Sequence, residues 1–150
     1  MEIRRMLPSD ADAVALAEKE IFPVPWSEED ISKTLSSEGA MCYTALLYGK
    51  LAAYIIGRII PPEAEIYRIA TLPNYRRRKI AYRLMDYTVK SERKNGLESL
   101  FLEVRKSNLP AQALYRSYGF KEIGLRKKYY KDPPDDALVM MLSPSVEIED

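Results

Sequence analysis

The sequence predicts a mixed α+β domain of about seven strands and four helices. Three features carry that expectation. The hydrophobic period switches between helical and strand spacing along the chain. The segments follow the order β-α-α-β-β-β-α-β-α-β-β. The centre, Glu65 to Tyr118, alternates strand and helix, the pattern that favours parallel pairing. The 150 residues suit one core, so 1–142 is expected to form a single domain and 143–150 a frayed tail.

"EIRRM" is a short first strand. In "PSDADAVALAEKEIF", Ser9 and Asp12 have capping-box spacing, and Ala13, Val14, Ala17 and Ile21 recur on one helical face. "PVP" interrupts, and "WSEEDISKTL" restarts a helix with Ser27 and Asp30 as a second capping box. Trp26, Ile31 and Leu35 are candidates for its buried side. "MCYTALLYGKLAAYIIGRII" is rich in β-formers and broken at Gly49-Lys50, so it predicts a hairpin. "EIYRIATL" is a further strand. The helix after it presents Ile80, Ala81, Leu84, Met85 and Thr88 on one face, pairs Asp86 with Lys90 on the other, and stops at Asn95-Gly96. "SLFLEV" is apolar enough to be buried on both sides. "PAQALYRSYG" has Pro110 in its first turn and Gly119 as its C-cap. "FKEIGLR" and "ALVMML" are closing strands, with "KKYYKDPPDD" as the loop between them.

Composition limits the chemistry. There is no histidine, which removes histidine bases, histidine metal ligands and Ser-His or Cys-His pairs. One cysteine, Cys42, leaves no internal disulfide and no multi-thiolate metal site, so no metal is expected. Cys42 has no base partner in view and reads as a small buried hydrophobe. No apolar run reaches the ~20 residues of a membrane span, and "MEIRRMLPSD" has no signal-peptide core. A soluble cytoplasmic protein is expected, without membrane or nucleic-acid partners. Net charge is +1, but residues 1–40 carry nine acidic and four basic side chains. The remainder is basic, an asymmetry that can serve two partners of opposite sign.

Arg76, Arg77, Arg78 and Lys79 run directly into the central helix. A helix start already carries partial positive charge and prefers carboxylates. The run is therefore either a solvated face or the docking point of a strong anion; it is too short for a nucleic-acid patch. Glu103 lies between apolar neighbours, so it is either ion-paired, for instance with an arginine, or functional. Tyr115 competes with Leu114 and Tyr118 for burial and by itself reads as a core aromatic. Asn108 reads as a helix cap.

Four stretches give these residues a context. "FPVPWSEE", "YRIATLPNYRRRKIAYRLM", "LFLEVRKSNLPAQALYRSYGF" and "LRKKYY" resemble, in that order, the GNAT superfamily of acetyl-CoA-dependent N-acetyltransferases. Within it they are most similar to the ribosomal-protein-alanine N-acetyltransferases and related N-terminal acetyltransferases. The likeness runs from about Ile3 to Leu142 and implies a twisted mixed GNAT sheet.

It also implies an acetyl-CoA site. The pyrophosphate would bind the turn Arg76-Arg77-Arg78-Lys79-Ile80-Ala81, the pantetheine arm would follow the backbone of Ile69, Ala70 and Thr71, and Asn108 would contact coenzyme A. Lys79 departs from the pattern, which has glycine there. The same resemblance implies Glu103 as general base through water and Tyr115 as general acid, the latter also beside the cofactor. Phe22, Pro25 and Trp26 would form one wall of a peptide cleft, and Tyr129 and Tyr130 the other. The implied activity is transfer of acetyl to a protein N-terminus, with a ribosomal protein starting in alanine as one acceptor. A GNAT enzyme acting on small amines or lysine, and a coenzyme-A-binding module without catalysis, are the rival readings.

Overall fold

The computed structural model describes residues 1–144, so the expected tail lies outside the described residues from 145 onward. The elements are β1 (Glu2–Arg5), α1 (Ala11–Ile21), α2 (Glu28–Leu35), β2 (Ala40–Leu47), β3 (Lys50–Ile60), β4 (Glu63–Thr71), α3 (Ile80–Arg93), β5 (Ser99–Arg105), α4 (Leu109–Tyr118), β6 (Lys121–Lys131) and β7 (Pro134–Leu142). The expected seven strands and four helices are all present, in the expected order.

The strands form one sheet in the order β1-β2-β3-β4-β5-β7-β6. All neighbours are antiparallel except β4 and β5, which are parallel and joined through α3. Alternation along β2 and β3 divides the core between the two faces. Met41, Tyr43, Ala45 and Ile55 pack on the α3–α4 side with Leu84, Met85, Leu100 and Leu102. Cys42, Tyr54 and Ile56 pack on the other side with Ala11, Val14 and Ile31 of α1 and α2. Cys42 is buried, as expected, and burial pushes its thiol pKa up.

Several local expectations need correction. The β2–β3 turn is centred on Tyr48-Gly49, both with positive φ (51° and 76°), one residue earlier than Gly49-Lys50. That geometry suits the twist of a two-residue hairpin. The Ser9–Asp12 capping box does not form. Asp10 receives the Leu7 N–H at 2.6 Å and Arg4 at 2.7 Å, so a short 3-10 turn precedes α1. Ala13 is exposed and Ala11, Ala15 and Glu18 are buried in its stead, because this register turns Glu18 inward toward Tyr54. The second capping box is formed, with Ser27 and Asp30 exchanging bonds of 3.1 Å.

Strand β5 is central but not buried on both sides: Leu100, Leu102 and Val104 are buried, while Phe101, Glu103 and Arg105 are half-exposed. Tyr129 and Tyr130 lie within β6 rather than in a loop. The hairpin continues past a register shift between Arg126 and Tyr130, and Arg105 holds its tip through the carbonyls of Pro133 (2.6 Å) and Asp132 (3.1 Å).

Candidate active site

The site arises where the sheet opens. β4 and β5 pair only over Glu63–Ile66 and Ser99–Leu102. Beyond that point β4 stays with β3 to Thr71, and β5 stays with β7 to Arg105. The split starts at a bulge in β4: Ile56 opposes Arg68 and Gly57 opposes Ile66, leaving Tyr67 as the extra residue. A bulge bends its strand and sharpens the local twist. Gly57 permits the close approach, since a Cβ there would fall 2.4 Å from the Glu65 carbonyl oxygen. The strands diverge and leave one backbone edge of residues 67–71 without a partner strand.

A cleft of about 350 Å³ occupies this opening. Phe22, Ile69, Glu103, Asn108, Tyr115, Tyr129 and Tyr130 all line it. The cleft passes through the sheet. Leu102 and Val104 pack with Tyr115 on the α3–α4 side, so Glu103, between them in β5, faces the opposite side.

Tyr115 is almost wholly buried, packed at 5.9 Å from the Phe120 ring. No group among the described residues hydrogen-bonds its hydroxyl. Burial, with a smaller contribution from Tyr130, pushes its pKa well up, so it holds its proton across the neutral range. Glu103 is ion-paired with Arg126, Nε to Oε2 at 2.8 Å. The approach lacks the direction of a hydrogen bond, and Oε2 stays buried without an aligned donor.

Tyr129 and Tyr130 meet edge to face at 5.1 Å. Arg126 lies 5.6 Å from the Tyr129 ring and Arg105 4.3 Å from the Tyr130 ring. Burial and the Glu103 charge push both phenols up, Tyr130 to about 12. Glu65 is likewise raised, by burial first and then by the Glu103 charge, with Arg126 opposing.

Not every expected residue lines the cleft. Pro25 and Trp26 stand outside it, and Pro23 and Val24 take that place; Trp26 packs at 6.1 Å from Tyr67. Asn108 caps α4, its side chain accepting from Ala111 N at 3.3 Å, and also lines the cleft. Ala70 is buried toward α1.

Thr71 ends β4, and its carbonyl accepts from Arg76 Nε at 3.2 Å. The cationic turn therefore hangs at the far end of the unpaired β4 edge. Arg76 to Lys79 are exposed, Ile80 is buried and Ala81 half-buried. Helix α3 starts there without a side-chain cap and without an acid in its first turn. Lys79 sits at its N-cap with φ 58° and ψ 20°, the left-handed conformation usual for glycine. The departure from the glycine pattern thus leaves the backbone path glycine-like. Unpaired N–H groups and the dipole lie at this point, with four cations in the adjoining turn, a combination that fits a polyphosphate.

Arg126, Arg105 and Arg68 were missed from the sequence. Arg126 meets Glu103 across β7, Arg105 meets the β6–β7 turn, and Arg68 meets Glu18 of α1 and the α1–α2 connection; no spacing within the chain signals these contacts. Among the described residues no group of three or more potential ligands could hold a metal ion.

The sheet thus splits between two parallel strands, with a carboxylate and a buried phenol in the opening and an uncapped cationic helix start beside it. The chain belongs to the acetyltransferase (GNAT) family, whose model matches residues 11–120. It is an acetyltransferase. It is 34% identical over 136 residues to the [ribosomal protein bS18]-alanine N-acetyltransferase of Escherichia coli strain K12, covering 89% of this chain and 91% of that protein. It is 34% identical over 142 residues to a putative enzyme of the same name from Bacillus subtilis strain 168, covering 94% of both. The crystal structure of the E. coli ribosomal-protein-S18-alanine N-acetyltransferase superposes with a TM-score of 0.89 at 32% identity, over 99% of this chain and 97% of the other.

Proposed function

We propose that the chain transfers acetyl from acetyl-CoA to the N-terminal amine of a protein, with a ribosomal protein starting in alanine as the acceptor. The observation that carries this is the cleft through the sheet, with Glu103 facing one side and Tyr115 packed on the other. Two substrates entering from opposite faces meet between them, so transfer is direct and needs no acyl-enzyme. Cys42, buried away from the cleft, takes no part.

In this reading the free edge of β4 around Ile69, Ala70 and Thr71 holds the pantetheine arm, as an added strand would. The turn from Arg76 to Ala81 holds the phosphates. Tyr129 and Tyr130 face Phe22, Pro23 and Val24 across the acceptor. A carboxylate that already attracts the Arg126 guanidinium suits a cationic amine. Glu103 takes one proton from the ammonium through a water. The neutral nitrogen then bonds to the thioester carbonyl carbon, the C–S bond breaks, and Tyr115 gives its proton to the departing thiolate; the second nitrogen proton, released as the amide forms, passes through water and restores the phenol.

The N-terminal amine is the easier acceptor. Its pKa near ~8 leaves about one in ten neutral at pH 7, against about four in ten thousand for lysine at ~10.4. The proposed location is the cytoplasm, where ribosomal proteins are made; no helix among the described residues is long and apolar enough to cross a membrane. The test is turnover of a lysine-containing peptide beginning with alanine, with its N-terminus free or blocked. Turnover of the free form alone is expected. Equal turnover of the blocked form would assign the enzyme to lysine side chains.

A further inference from the structure

Glu18 has no place in the mechanism, yet it is fully buried in α1. Its carboxylate accepts from Tyr54 OH at 2.5 Å, from Trp26 N at 3.0 Å and from Arg68 Nε at 3.1 Å. A buried carboxylate is retained where its partners satisfy it, and these three do. Two of the three lead to one place, the α1–α2 connection. Arg68 also donates from its terminal nitrogen to the Val24 carbonyl at 2.6 Å, and its guanidinium carbon lies over the Phe22 ring, 4.1 Å from the ring centre. One guanidinium thus holds both the ring and the backbone of the cleft wall.

The bulge in β4 explains how Arg68 reaches it. The extra residue, Tyr67, packs on Trp26, while Arg68, opposite the α1-side Ile56, points to Phe22. Two successive side chains of one strand therefore face the same connection. The bulge that opens the sheet also ties down the wall of the opening.

We infer that Arg68, held by Glu18, is a positioning residue that sets the acceptor side of the cleft by clamping Phe22–Val24. The inference rests on the reading that the acceptor lies between Phe22–Val24 and Tyr129–Tyr130. Lysine would replace it only in part, because a single ammonium lacks the planar fork that reaches Glu18 and Val24 together beside the Phe22 ring.

Trp26 is the sole tryptophan, so its fluorescence reports this connection directly. The experiment compares wild type, Arg68→Gln, Arg68→Lys and the double variant Glu18→Gln/Arg68→Gln. The double variant leaves no buried charge unpaired and serves if Arg68→Gln does not fold. Each is measured for Trp26 emission, for KM of the alanine peptide, for KM of acetyl-CoA and for kcat. The expected result is a red-shifted Trp26, a peptide KM raised about tenfold, the scale of one lost charge-assisted bond, and the other constants within about twofold. Arg68→Lys should fall between wild type and Arg68→Gln. Unchanged Trp26 emission with unchanged peptide KM overturns the clamp. A red-shifted Trp26 with unchanged peptide KM also overturns the inference, and places the fault in the acceptor reading instead.

Discussion

Arg126 Nε lies 2.8 Å from Glu103 Oε2, and yet that oxygen has no donor aligned on it. The arginine side chain is 60% exposed and the carboxylate 18%. A mostly exposed cation thus faces a largely buried acceptor, and on the proposed reading an incoming ammonium would compete for it. A group serving only as an ion-pair partner and a group serving as a base make opposite demands on this contact.

The two roles separate in a pair of variants. Glu103→Gln should lower kcat by on the order of 10²–10⁴ with folding retained. Arg126→Gln should keep kcat within a few-fold and lower peptide KM, because the carboxylate no longer shares its cation. Steady-state kinetics with thermal melts check both. If the two variants lose similar stability and neither changes kcat selectively, Glu103 is structural.

Tyr115→Phe removes a proton donor and little packing, since the ring stays in its buried seat. The expected kcat loss is again on the order of 10²–10⁴, with acetyl-CoA affinity nearly unchanged. The phenol pKa is pushed up by burial, so the protonated form persists through the neutral range. The wild-type rate should therefore show no alkaline decline from this group below pH ~10. Isothermal titration for binding and a pH–rate profile for turnover would expose a failure of either part.

The cationic turn allows a sharper expectation than its residues alone. Lys79 already adopts the left-handed conformation that glycine favours, so Lys79→Gly keeps the backbone path and removes the side chain with its ammonium. Coenzyme A affinity should fall a few-fold in low salt, and the difference should vanish near 1 M, where the Debye length is ~3 Å. Arg78→Ala should behave alike. A gain of affinity in Lys79→Gly at all salt levels would show that the side chain obstructs the phosphates.

Much of this fold was legible because its signals are local. The Ser27–Asp30 box, the Asn108 cap, the Gly119 stop and the period of α3 each lie within a few residues of sequence. The site residues were named only through whole motifs, since nothing local distinguishes Tyr115 from a core aromatic; the ring is buried in the core and also lines the cleft. Arg126 was not legible. It lies on the edge strand β6, two strands from Glu103, and reaches it across β7. The aromatic pair was misplaced for a related reason. A register shift of β6 against β7, with Lys128 at φ 54°, carries Tyr129 and Tyr130 back into a strand that local composition marks as a loop. Pairing across the sheet overrode turn chemistry there.

The buried tyrosines make a last, thermodynamic prediction. Tyr54 OH donates to Glu18 and Tyr43 OH to Glu92, each at 2.5 Å, on opposite faces of the sheet. Burial first, and the adjacent carboxylate second, push both phenols far above their usual range; Arg68 and Arg5 oppose this only in part. A phenol whose folded pKa is raised stays protonated in the native state after the unfolded chain has begun to lose its proton, at about pH 10. The unfolded state then binds fewer protons, so stability falls as pH rises. The contribution is fully present below pH ~10 and is lost progressively above it. Tyr54→Phe should cost roughly 1–2 kcal/mol at neutral pH through the lost hydrogen bond, and it should flatten the alkaline decline. Adding Tyr43→Phe should flatten it further. Melting temperatures from pH 8 to 11.5 for wild type and both variants test this, and parallel curves for all three would show that other groups govern alkaline unfolding.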